Sequence, residues 1–139
     1  MTTDDLARSY LVKARVRLKA LALLRDEGGH SDVVREAQEL VELALKAMLR
    51  AVGVEPPKFH DVGRLLVEHR ARFTPDVASD LERAARISAE LRVDRELAFY
   101  GDIDFIPTER YSAEQAGRAY DGAAWVLALA ERAIRPPAG

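Results

Sequence analysis

The sequence predicts an all-α protein, an antiparallel helical bundle of four long helices plus one short helix. Apolar residues recur at steps of three and four through long stretches, and no run alternates with the two-residue period of a half-buried strand. Glycine and proline punctuate the chain at Gly28 and Gly29, at Gly53 with Pro56 and Pro57, and at Pro136 and Pro137. Long helical stretches with short links between them favour antiparallel neighbours.

The first helix is expected over residues 4–25, where Leu6, Tyr10, Val12, Leu18, Leu21 and Leu24 are among the apolar positions, and it stops at Gly28. Ser31 is expected to cap the second helix, which runs to Val52 and ends at Gly53, a residue suited to the left-handed position after a helix. Val33, Ala37, Leu40, Val41, Ala44, Leu45, Met48 and Val52 form its apolar stripe. Arg35, Glu39, Glu42, Lys46 and Arg50 fill the other side, which reads as a solvated face. Asp61 caps a short third helix through Val62, Leu65 and Leu66, with Phe59 placed to fold over its start. Thr74 followed by Pro75 opens a long fourth helix reaching about residue 99. Ser112 and Gln115 match a capping box that opens the fifth, whose apolar residues include Ala116, Tyr120, Ala123, Ala124, Leu127 and Ala130. Alanine at so many apolar positions lets helix axes approach closely or leaves a shallow face for a second subunit, and a homodimer is the expectation.

At 139 residues the chain has the length of one ordinary domain, taken as residues 1–139. Lysine and arginine number 21 against 23 aspartates and glutamates, a net charge of -2, so nothing draws the whole molecule to nucleic acid or to an anionic membrane. Any anion site is therefore local. The absence of cysteine excludes disulfides and thiolate metal sites and fits a cytoplasmic protein. Charges interrupt every apolar run short of bilayer length, and Met1 to Asp5 lack the basic start of a secretory signal, so a soluble chain is expected. His30, His60 and His69 form no pair at metal-ligand spacing, and no phosphate-cradling glycine loop or nucleophile elbow is present, so no metal and no cofactor is expected.

The stretch from Arg92 to Phe105 is the best candidate site. Leu81, Ala84, Ser88 and Leu91 mark one face of the fourth helix, and Arg95 continues that stripe. A guanidinium on an inward stripe needs an anion partner or water. Arg92 and Arg95 therefore have two readings: they bind phosphate through their planar donor forks, or they pair internally with Asp102 and Asp104, tying the loop to the helix. Tyr100, Phe105 and Tyr111 are base-stacking candidates or apolar loop anchors, and His60 reads as a loop residue beside a cap.

Two stretches carry a family resemblance. One runs from Ala37 to Leu49, then through Gly53, the proline break and His60 to Leu66. The other is the end of the fourth helix with the loop through Asp102, Phe105 and Pro107 to Tyr111. Together with the helix order they make the chain resemble the HEPN family, small helical bundles often encoded beside a minimal nucleotidyltransferase. Ribonucleases of that family carry an arginine and, a few residues on, a histidine, and the motifs of two subunits meet in a dimer cleft. Arg95 stands in the place of that arginine and Tyr100 in the place of the histidine. A phenol does not titrate near neutral pH as imidazole does. Arg25 with His30 and Arg64 with His69 repeat the spacing outside the stretch that resembles the family's active segment.

The resemblance thus implies a protein that binds a nucleotide or RNA phosphate through Arg92, Arg95, Tyr100, Asp102 and Asp104. It implies action with a nucleotidyltransferase partner in a toxin–antitoxin-like pair, with weak or no catalysis, and it marks Tyr100 and Tyr111 as tyrosines to examine for modification. The alternatives are a metal-independent ribonuclease, with Arg95 and Tyr100 as the candidate catalytic residues, and a structural adaptor without ligand.

Overall fold

A computed structural model describes residues 3–58, 61–99 and 111–134, with their side chains apart from those of 3, 4 and 94–99. The helices are α1 (Thr3–Asp26), α2 (His30–Ala51), α3 (Val62–Glu68), α4 (Pro75–Ala78), α5 (Leu81–Phe99) and α6 (Ala113–Ile134), with a 3-10 turn at Arg70–Arg72 and no strand among the described residues. The all-α bundle is therefore as expected, with four long helices.

Glycine closes two of those helices in the same way. At the end of α1, Gly28 has φ +78 and donates to the Arg25 carbonyl while Gly29 N–H donates to that of Leu24. At the end of α2, Gly53 has φ +82 and donates to Arg50 while Val54 N–H donates to Leu49. Both are Schellman closures, which need a left-handed residue in the place these glycines occupy. Gly29 also serves the next helix, since its carbonyl accepts from Val33 N–H. The expected Ser31 cap is thereby displaced: α2 opens on Gly29 without a side-chain cap, and Ser31 is buried inside the first turn.

The fourth helix departs from expectation as well, because it is broken. Thr74 makes no cap; its hydroxyl donates to Asp76 Oδ1 at 2.6 Å. Pro75 opens α4, and the chain turns at residues 79–80 before α5. The Ser79 hydroxyl donates to the Asp76 carbonyl, and the Asp80 carbonyl accepts the first bond of α5 from Ala84 N–H. Serine and aspartate compete locally for backbone groups, which suits a break better than a helix interior. The Asp61 cap and the Ser112–Gln115 capping box form as expected, the latter with both reciprocal bonds, 2.9 Å and 3.1 Å. Phe59 lies outside the described residues.

Helix α2 occupies the middle and packs on α1, α5 and α6. Arg15 Nε to Glu131 Oε1 at 2.8 Å and Arg25 over the Tyr120 ring set α1 antiparallel to α6. Asp80 with Arg132 and Ile87 with Gly122 do the same for α5 and α6. This central position corrects the reading of the polar side of α2. Val34, Ala47 and Leu49 are buried as well as the apolar stripe from Val33 to Met48, whereas Val52 is half-buried, and Arg35, Glu39, Glu42, Lys46 and Arg50 are half-buried rather than solvated.

Arg50 shows this best. Its side chain is 17% exposed, its two terminal nitrogens each lie 3.1 Å from Glu55 oxygens, and its guanidinium covers the Tyr10 ring at 5.5 Å. Burial works against its charge, but hydrogen bonding to Tyr10 and Glu55 outweighs it and holds the pKa above the ordinary arginine value. In α6, Ala116, Ala119, Ala123 and Ala130 are buried within the core, so this alanine face is used for close helix packing inside the chain.

Candidate functional site

Helix α5 presents three faces. Leu81, Ala84, Ser88 and Leu91 are all buried, as the stripe predicts, and position 95 follows Leu91 by one turn on a backbone that stays helical to Phe99. The Arg95 side chain lies outside the described set, as do residues 100–110 with Tyr100, Asp102, Asp104 and Phe105.

A second face of α5 meets α3. Here Gly63 is needed for close approach, because a Cβ at that position would stand 2.8 Å from the Ala85 Cα. One residue before the end of the described side chains of α5, Arg92 Nη2 reaches Asp61 Oδ1 at 3.3 Å, with side-chain exposures of 42% and 37%. The described partner of Arg92 is thus the α3 cap residue.

The third face forms a cleft with α6. At one end the two helices are pinned: Arg83 lies over the Trp125 ring at 4.2 Å, and an ideal Cβ on Gly122 would lie 3.2 Å from Ile87 Cγ2. Toward the carboxyl end of α5 a cavity of about 230 Å³ lies between them, floored by Val34. Ile87, Glu90 and Leu91 form one wall, and Tyr111, Gln115 and Arg118 the other. Tyr111 is buried and, among the described residues, is the aromatic singled out by the sequence that lines this wall. Glu90 is exposed and has no ion-pair partner among the described residues. Gln115 uses its Oε1 in the capping box, which leaves its Nε2 donors facing no described acceptor. Arg118 pairs with Glu114 at 3.1 Å, with both side chains largely in water.

Sequence reasoning missed Glu90, Gln115 and Arg118 as lining residues. A signal existed: positions 115, 118 and 122 advance by three and four, which puts a glutamine, an arginine and a glycine along one helix face, with Tyr111 just before its start. The arginines of the two stray arginine–histidine spacings are engaged by other residues. Arg25 lies on Tyr120 at 5.4 Å, Arg64 faces Glu68 at 3.6 Å, and His69 ends α3. His60 lies outside the described residues.

No helix among the described residues is long and apolar enough to cross a membrane. No curated protein and no solved structure matches the chain. The family model of the HEPN domain matches residues 7–133, nearly the whole bundle from α1 to α6, and the chain belongs to the HEPN family.

Proposed function

We propose that this protein binds the phosphate of a nucleotide or RNA at the carboxyl end of α5, with Arg92 and Arg95 as anion donors and Tyr100, Asp102 and Asp104 completing the site. It works as a homodimer with a nucleotidyltransferase partner in a toxin–antitoxin-like pair, and its own catalysis is weak or absent. The observation that carries this reading is Arg92 near the carboxyl end of α5, an exposed guanidinium whose described partner is a single carboxylate oxygen of Asp61 at 3.3 Å. Family membership supports it.

Arg92 is suited to exchange partners. Its contact with Asp61 is long and exposed, a kind of pair worth roughly 0–1 kcal/mol, so a phosphate dianion competes with the carboxylate at little cost. Catalysis by the family route lacks its imidazole, and a phenol with an ordinary pKa of about 10 holds its proton at neutral pH.

Titration of the labelled protein with inorganic phosphate, followed by NMR, is expected to shift backbone signals of residues 88–99, and Arg95→Ala is expected to abolish the shifts. An unchanged spectrum at millimolar phosphate would leave the adaptor reading. Pure protein is expected to leave a broad RNA panel intact; cleavage that disappears in Arg95→Ala would establish the ribonuclease instead.

A further inference from the structure

We propose that the cleft between α5 and α6 is a subsite for a guanine base, a reading that rests on the phosphate-binding function and assigns the part of the ligand that enters the fold. Size comes first. The cavity of about 230 Å³ falls below the ~300–1,000 Å³ of sites that enclose a drug-sized ligand, so it admits one ring system and leaves ribose and phosphate outside. Ribose and phosphate then lie on the surface beside the cavity.

The lining has the character of a base site. Ile87, Leu91 and Val34 give apolar area, and Tyr111 gives an aromatic wall, the combination on which unstacked bases pack. Specificity follows from the polar groups. The Glu90 carboxylate is acceptor-only and carries two oxygens, which match two adjacent donors. Guanine presents such a pair, N1–H beside N2–H₂, on its Watson–Crick edge. Adenine offers one donor beside an acceptor there, and uracil one donor between two acceptors. Across the cleft, Gln115 Nε2 and the Arg118 guanidinium are donors, and guanine turns its O6 and N7 acceptors to such groups. Acceptor on the α5 wall and donors on the α6 wall therefore fit guanine and oppose the other bases.

Calorimetric titration of the full chain with 5′-GMP, 5′-AMP, 5′-UMP, guanosine and inorganic phosphate tests this. GMP is expected to bind about tenfold or more tightly than AMP or UMP, the discrimination of one good bidentate contact. Glu90→Gln, an exposed change on a helix surface, is expected to remove that preference while leaving phosphate affinity and the thermal midpoint as they are. Equal affinity for GMP and AMP, or a preference that survives Glu90→Gln, overturns the base subsite and leaves phosphate binding standing. Guanosine binding with no response to phosphate supports the subsite and sinks the phosphate reading. No binding of any probe sinks both.

Discussion

Arg92 Nη2 and the Arg64 backbone N–H share one acceptor, Asp61 Oδ1, each at 3.3 Å. One carboxylate oxygen thereby caps α3 and reaches α5. The two bonds differ in worth: the cap satisfies an orphan helix N–H, whereas the ion pair is screened by solvent. Asp61→Ala is expected to lower stability by about 1–2 kcal/mol and Arg92→Ala by less than ~1 kcal/mol. Urea denaturation of the two single variants and the double variant checks this; an Arg92→Ala loss as large as that of Asp61→Ala would show the pair, not the cap, to be the main contribution.

Gly63 makes a sharper case at the same contact. A Cβ there would meet the Ala85 Cα at 2.8 Å and the Ala85 Cβ at 3.0 Å. The nearest obstacle is backbone, so α3 must move as a body. Gly63→Ala is expected to destabilise by roughly 1–3 kcal/mol, read as a fall in thermal midpoint. Trimming the opposing side chain with Ala85→Gly leaves the Cα in place, so the double variant is expected to recover little. Full recovery would mean that side-chain crowding alone sets the spacing of α3 and α5.

These contacts also show how far the sequence is legible. The stripe from Leu81 to Leu91, the Asp61 cap and the Ser112–Gln115 box depend on neighbours within one or two turns, and each appears where its spacing predicts. Ser31 and Thr74 misled because a cap is also decided by what precedes it: Gly29 had already closed α1 and opened α2, and Asp76 took the Thr74 hydroxyl. The cleft was hidden for a different reason. Glu90 and Arg118 sit on exposed helix surface, where charges usually mean only solvation, and nothing local tells that a cavity lies between α5 and α6 there.

Arg50 tests the most consequential correction. Its guanidinium lies over the Tyr10 ring while the terminal nitrogens grip Glu55, an anchor between the end of α2 and the first half of α1. Removing it takes away packing as well as charge. Arg50→Ala is expected to cost about 2 kcal/mol, in the range of hydrogen bonds to charged groups. Arg50→Lys keeps the charge but not the planar fork, so it is expected to restore less than half of that loss. Chemical denaturation decides between them, and a fully stable Arg50→Lys protein would reduce the site to simple charge.

Asp76 supplies a pH test. The Thr74 hydroxyl donates to its carboxylate at 2.6 Å, and with help from nearby backbone N–H groups and the Arg132 charge this holds the Asp76 pKa below its ordinary value. A depressed carboxyl pKa stabilises the fold above the unfolded-state value, and that contribution fades as pH falls through the folded-state value. The acid limb of the stability curve should therefore carry a small contribution from this turn. Thr74→Val removes the hydroxyl at nearly constant shape, and the Asp76 carboxyl followed by carbon NMR is expected to titrate closer to the ordinary aspartate range. Asp80→Asn, which weakens the neighbouring hold on Arg132 at 2.7 Å, is expected to move Asp76 less, because the hydroxyl comes first among the causes and Arg132 last. If Thr74→Val leaves the Asp76 titration where it was, the hydroxyl bond does not hold this carboxyl in its ionised form.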